Sequence, residues 1–206
     1  MEMKGFTSPS PSSCKVLMAA IVALLVLISS TMKNCSATTT KSSEINFIHS
    51  SCASILYPNL CYSSLSPYAS SVGTNSTRLA IVALKLSLSA TRNSSALVTM
   101  LSRRVGLMSN ETANIKDCVV EVGDATDQLK QSLEEMNHLG GPNFEFNKNS
   151  IQTWVSAAMT DHQTCLDGLD RLNGLVEKQI KNSVTTASRL ISNALAIINS
   201  LTSNSN

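Results

Sequence analysis

Polar and apolar residues alternate along the second half of the chain with the period of an α-helix. Ile115, Cys118, Val122, Ala125, Leu129, Leu133 and Met136 follow one another at steps of three and four. Such steps line one face of a helix. A second stripe reads Trp154, Ala158, Asp161, Cys165, Leu169 and Leu172. A third reads Ile180, Val184, Ala187, Ile191, Ala194, Ile198 and Leu201. Residues 77–105 are broadly apolar and lack glycine and proline, so they read as one long helix capped by Thr77. Four helices are therefore expected at 77–105, 111–138, 148–170 and 176–202. Asn110 is the expected N-cap of the second, and Gly140 to Asn143 its terminator. Strand signals are almost absent. Short connections make neighbouring helices antiparallel, which predicts an all-α, up-down-up-down four-helix bundle.

Residues 42–72 stand outside this pattern. Ile45, Ile48, Cys52 and Ile55 mark a short amphipathic helix, which Pro58 ends or from which it opens the next turn. A second short helix follows and is broken at Pro67. The two form an N-terminal helical hairpin.

The N-terminus sets the compartment. Lys4 and Lys15 precede an uninterrupted apolar run of 13 residues, Val16 to Ile28, and the small residues Cys35 and Ala37 follow. The run is short for a bilayer span and suits a secretory signal peptide, residues 1–37, cut after Ala37. The mature domain is then 38–206. The cut removes three of the 16 basic residues and one of the 14 acidic ones, so a net charge of +2 becomes zero. A neutral chain with 4% aromatic residues carries no electrostatic footprint for nucleic acid. No later segment is apolar enough to predict a membrane span.

Secretion changes the reading of the cysteines. Cys14 and Cys35 leave with the signal peptide, and Cys52, Cys61, Cys118 and Cys165 remain. In an oxidising compartment an even number implies disulfides, and four cysteines allow three pairings. Cys52 and Cys61 flank the bend of the hairpin, while Cys118 and Cys165 each lie on the apolar stripe of a bundle helix. The expected pairs are therefore Cys52–Cys61 and Cys118–Cys165. Their spacing does not suit zinc, and oxidised sulfur leaves no thiol nucleophile. Three sequons, at Asn75, Asn93 and Asn110, fit the N-glycosylation acceptor pattern. Asn75 and Asn93 are 18 residues apart, which is five helical turns.

Catalytic motifs are missing: there is no nucleophile elbow, zinc-protease motif or phosphate loop, and no cofactor is implied. The pair Asp161-His162 is expected to be structural, with Asp161 satisfied inside the bundle. A surface remains. With Cys118 pointing inward, Asp117, Asp124 and Asp127 lie about 100 to 180 degrees away. With Cys165 inward, Thr160, Thr164 and Asp167 also face outward. The disulfide would make these helices neighbours and their polar edges one docking surface.

These residues carry a resemblance. "CASILYPNLC" (52–61), "IKDC" (115–118), "TWVSAAMTDHQTCLDGL" (153–169) and "LISNALAII" (190–198) resemble, in order, the motifs of the plant invertase and pectin methylesterase inhibitors. The resemblance implies a non-catalytic inhibitor secreted to the apoplast and cell wall. It would form a one-to-one complex with pectin methylesterase and cover the cleft where pectin lies. Carried over residue by residue, the enzyme-docking positions are Asp124, Asp127, Thr164 and Asp167. The chain departs from the family pattern at Val120, where an acidic residue is usual, at Ile55 for a usual Thr, and at Val122 for a usual aromatic. It also lacks the Pro-Lys-Phe motif of the invertase inhibitors, which turns the expected target toward pectin methylesterase. Invertase is the alternative target, and a non-inhibitory cell-wall bundle the alternative class. No catalytic domain follows Asn206, so a free-standing inhibitor is expected rather than an enzyme's pro-region.

Overall fold

The computed structural model describes residues 41–104, 108–170 and 174–203. The expected signal peptide, residues 1–37 with Cys14 and Cys35, lies outside them. The chain divides into two units, Met1–Ser43 and Glu44–Asn206, and the fold is that of the second. Every regular element among the described residues is helical. Helix α1 (41–52) is followed by α2 (Pro58–Leu65), a 3₁₀ turn (Ser66–Tyr68) and α3 (Ala69–Val72). The bundle helices are α4 (Ser76–Leu101), α5 (Ser109–Glu135), α6 (Phe144–Leu169) and α7 (Leu175–Asn199). α4 packs on α5 and α7, and α6 packs on α5 and α7. The four thus form a ring in chain order, with α4 and α6 on one diagonal. This is the expected all-α bundle with an N-terminal hairpin.

The helix ends differ from expectation in ways that hydrogen bonding explains. Asn75, not Thr77, caps α4: its Oδ1 accepts the Arg78 backbone N–H at 2.7 Å. An Asn placed at the first unsatisfied turn is among the strongest caps, and it starts the helix one residue before Thr77. α4 also ends at Leu101 rather than 105. α5 begins at Ser109, ahead of the expected cap Asn110, because the Glu111 carboxylate accepts the Met108 N–H at 2.8 Å. α6 begins at Phe144, four residues before 148. Phe144 is buried there, and Asn147 Nδ2 donates to the His138 carbonyl at 2.7 Å. The preceding turn needs its glycines, since Gly140 and Gly141 have φ of 156° and 62°.

Two disulfides fasten these elements. Cys52–Cys61 closes the hairpin, and Cys118–Cys165 joins α5 to α6 with Cα atoms 4.4 Å apart. The hairpin is also tied to α7, where Asn193 Nδ2 donates to the Tyr57 carbonyl at 3.1 Å and Arg189 stacks over the Tyr57 ring. At the α6–α7 connection Lys181 bridges Asp170 (3.0 Å) and Glu177 (2.7 Å).

The apolar stripes form the core, in two clusters. One gathers the hairpin residues Ile48, Cys52, Cys61 and Leu65 with Leu84, Leu129, Ile151, Ile191 and Ile198. The other surrounds the second disulfide with Val98, Ile115, Val122, Leu169, Ile180 and Val184. Between them lies a buried polar layer. Thr91 Oγ1 on α4 lies 3.4 Å from His162 Nε2 on α6, across the diagonal, and Ser94 pairs with Ser183 of α7 at 2.8 Å. His162 Nδ1 is 2.9 Å from the Ala158 carbonyl, so it donates there. The α6 stripe is thus centred on Ile151, Val155, Ala158, His162, Cys165 and Leu169. It runs one residue off the predicted stripe. Trp154 and Asp161 fall at its margins and His162 in its middle; Leu172 is outside the described residues.

Burial holds the His162 imidazole below its ordinary pKa of 6.5, opposed only in part by its bond to Ala158. Unfolding therefore takes up a proton in the window just below 6.5, and stability declines as pH falls through it. Denaturation midpoints measured from about pH 7 to about pH 5 should fall in the native chain and fall less in His162→Gln. The loop-closure relation predicts that removing Cys118–Cys165 costs about 4 kcal/mol and removing Cys52–Cys61 about 3. Chemical denaturation of the paired Cys→Ser variants checks both the size and the order.

Candidate functional site

The candidate docking residues lie on α5 and α6, whose relative position is fixed by Cys118–Cys165. Cys118 and Cys165 are buried, so a helical turn carries the flanking polar residues outward. Asp124, Asp127, Thr164 and Asp167 are all exposed, as are Asp117 and Thr160. Each α6 member is oriented within its own helix. Thr164 Oγ1 donates to the Thr160 carbonyl at 3.0 Å, and Asp167 accepts from Gln163 Nε2 at 2.7 Å. Asp127 pairs with Lys130 one turn along α5 at 2.6 Å. An exposed pair of this kind is readily exchanged for another partner. Val120, at the position where acid was looked for, is 60% exposed.

The electrostatics join the two helices more closely than the expectation did. Asp161 is a half-buried group satisfied only in part. Its Oδ2 is buried without a hydrogen-bond partner, as is Gln128 Oε1 beside it. Burial pushes the Asp161 carboxyl above the usual carboxylate range, the Gln128 side chain pulls it back, and the charge of Asp124 pushes it up again. Glu121 is raised by burial and then by Asp161, Asp124 and Asp117. Asp117, Glu121 and Asp124 of α5 and Asp161 of α6 thus form one mutually repelling acidic seam. Glu121 and Asp161 were missed as members of this face. Glu121 lies at i−3 and i+4 from Asp124 and Asp117, which is the signal that finds it.

The seam concentrates negative charge where the two helices meet. Among the described residues no group of three or more His, Cys, Asp or Glu side chains is placed to hold a metal ion. His162, next in sequence to Asp161, is enclosed by the core. Of the three sequons, Asn75 is the α4 cap, Asn93 is exposed on α4, and Asn110 lies in the first turn of α5 with its side chain outside the described residues. No helix among the described residues is long and apolar enough to cross a membrane.

The raised carboxyls give a signed prediction. A folded pKa above the ordinary 3.8 of Asp161 means the native state holds that proton longer than the unfolded one. Stability is lost as pH rises through that window. Asp161→Asn should raise the melting temperature at about pH 7 and give no gain near pH 3, below the window. Calorimetry of the variant at both pH values is the check.

Comparison with known proteins agrees with this architecture. The sequence model of the family described as plant invertase/pectin methylesterase inhibitor matches residues 46–197. Pectinesterase inhibitor 10 of Arabidopsis thaliana is 38% identical over 167 residues, 80% of this chain and 54% of that protein, so the chain spans about half of that relative. Pectinesterase inhibitor 3 of the same plant is 37% identical over 162 residues, covering 76% of this chain and 79% of its own. The crystal structure of a mutant form of a pectin methylesterase inhibitor from Arabidopsis has the same fold, with a TM-score of 0.65, 23% identity, and coverage of 79% of this chain and 99% of the other. With its helical ring, hairpin and two disulfides, the chain belongs to the plant invertase/pectin methylesterase inhibitor family.

Proposed function

We propose that this chain is a secreted inhibitor of pectin methylesterase, without catalytic activity of its own. It acts in the apoplast by forming a one-to-one complex that covers the pectin-binding cleft. The observation that carries the reading is the acidic seam of the α5–α6 pair, which exposes Asp117 and Asp124 and half-buries Glu121 and Asp161, held beside Cys118–Cys165. Its docking residues are Asp124, Asp127, Thr164 and Asp167, and Asp161 and Glu121 extend the same surface. A disulfide-locked helix pair presents these side chains with little ordering left to do on binding, which favours affinity.

The names of the relatives support pectin methylesterase over invertase as the target: both inhibitors described above are pectinesterase inhibitors. Nothing about the seam calls for the invertase alternative. Loss of catalysis follows from occlusion, since a body the size of this bundle placed over a polysaccharide groove excludes the chain that must lie there.

Two measurements test the reading. The protein, expressed with its disulfides, is titrated into a plant pectin methylesterase and separately into an acid invertase. Loss of methanol release that saturates near one-to-one, with sucrose hydrolysis untouched, is the expected result; the reverse pattern moves the target to invertase. The double reversal Asp124→Lys, Asp127→Lys should weaken inhibition by at least about tenfold, or about 1.4 kcal/mol. The variant should keep the helical signal and melting temperature of the native chain, because both positions are exposed. Undiminished inhibition by a folded variant would remove these residues from the interface.

A further inference from the structure

Helix α4 differs from the other bundle helices on its outer face. Between Ser76 and Leu101 it has no acidic residue, and its charges are Arg78, Lys85 and Arg92. Its outward stripe lines a groove of about 520 Å³ with Arg78, Ile81, Val82, Lys85 and Leu86, against Tyr68 of the 3₁₀ turn. Ile81, Val82 and Leu86 are only partly buried, and Tyr68 is 43% exposed. This apolar surface has no covering element among the described residues.

Two acceptor sequons bracket this groove. Asn75 stands one turn before Arg78, and Asn93 one turn after Ser89, the last lining residue. At about 100° per residue, position 93 falls between the directions of Val82 and Leu86, and Asn75 caps the N-terminal end of the same helix. At about 1.5 Å per residue they are about 27 Å apart, and the lining between them covers about 16 Å. Asn93 is exposed. Asn75 caps α4 through Oδ1, while a sugar bonds to Nδ2, so one side chain can serve both purposes.

We infer that N-linked glycans on Asn75 and Asn93 occupy this groove and seal the outer face of α4. The reading rests on the secreted assignment made above. In the attachment step the Asn Nδ2 loses a proton and bonds to the anomeric carbon of a lipid-diphosphate-linked oligosaccharide. The bond from that carbon to the diphosphate breaks, and the lipid diphosphate leaves with the electron pair. The acceptor is modified on the unfolded chain during secretion, so its later place on a helix is no obstacle. Once the bundle has folded, each glycan starts at one end of the groove. The C–H faces of its pyranose rings and its N-acetyl methyl groups lie on Tyr68, Ile81, Val82 and Leu86. Arg78 and Lys85 donate to sugar hydroxyl and acetamido oxygens. Bulky polar chains over an apolar stripe remove an aggregation surface. They also leave the opposite side bare: α4 and α6 are diagonal in the bundle, so the glycans lie away from Thr164 and Asp167 on α6.

The test uses the full chain with its own leader, secreted from plant cells. Its N-terminal residue and glycopeptide masses are read together, and hydroxyl-radical footprinting compares native protein with protein stripped by a peptide N-glycosidase. The expected result is a removed leader and glycan at Asn75 and Asn93. Oxidation of Tyr68 and Leu86 should rise severalfold on stripping, with Tyr57 on the hairpin unchanged. Asn75→Asp together with Asn93→Gln should reproduce the stripped footprint; the Asp keeps an N-cap oxygen, so α4 is preserved. A removed leader with both sequons bare overturns the inference and leaves secretion standing. A retained leader with bare sequons overturns both. Glycans present with an unchanged footprint at Tyr68 and Leu86 overturn the groove assignment.

Discussion

The Cys118–Cys165 bond is the constraint around which the bundle is arranged. It joins α5 to α6 at Cα atoms 4.4 Å apart, at the close end of the range a disulfide spans. Once that point is fixed, antiparallel helices have little freedom of register. Asp161 must approach Glu121, Asp124 and Gln128, and the polar edges of the two helices must run side by side. The same bond is part of the second core cluster, where Ile115, Val122, Leu169 and Ile180 pack around it. The acidic seam and the core around it therefore rest on one covalent link. The repelling carboxyls beside it persist because the link, and not their own energetics, keeps them together.

A second constraint works across the bundle. Two apolar clusters would tolerate sliding of one helix pair past the other, because aliphatic contacts are not directional. The polar layer of Thr91, Ser94, His162 and Ser183 is directional, and misalignment by one turn would leave these groups unpaired in the core. The layer spans α4 to α6 on the diagonal and α4 to α7 at the ring. Helices that the disulfide does not touch are aligned by it.

Much of this was legible in the sequence. The stripe from Ile180 to Leu201, along α7 and just past its end at Asn199, is buried at all seven positions, because an unbroken three-four pattern of aliphatic residues has only one apolar face. The order of the helices, the hairpin and the cysteine pairing followed from similar patterns. α6 was read one residue off. Both Asp161 and His162 fit between Ala158 and Cys165, and periodicity alone cannot separate them. The tie is broken by proton chemistry: a histidine sheds its charge on burial near neutral pH, whereas an aspartate must bind a proton to do so. Helix ends were less legible, as Asn75 and Glu111 illustrate. Their capping depends on which of several nearby polar side chains reaches an open N–H, a matter of a single turn of backbone. The acidic edge was legible by angle, but the inclusion of Glu121 and Asp161 depended on how closely two helices approach.

The absence of acid from α4 has an electrostatic consequence. The chain is close to neutral, yet its charges are unevenly placed: those of α4 are all cationic, while carboxylates crowd the seam between α5 and α6. A molecule with little net charge but such a separation carries a dipole. It is turned by an external field before it is drawn in, so a basic surface meets the seam first. Orientation during approach then becomes a property of the scaffold, set in part by a helix that carries none of the seam's carboxylates, and it weakens as salt shortens the reach of the field.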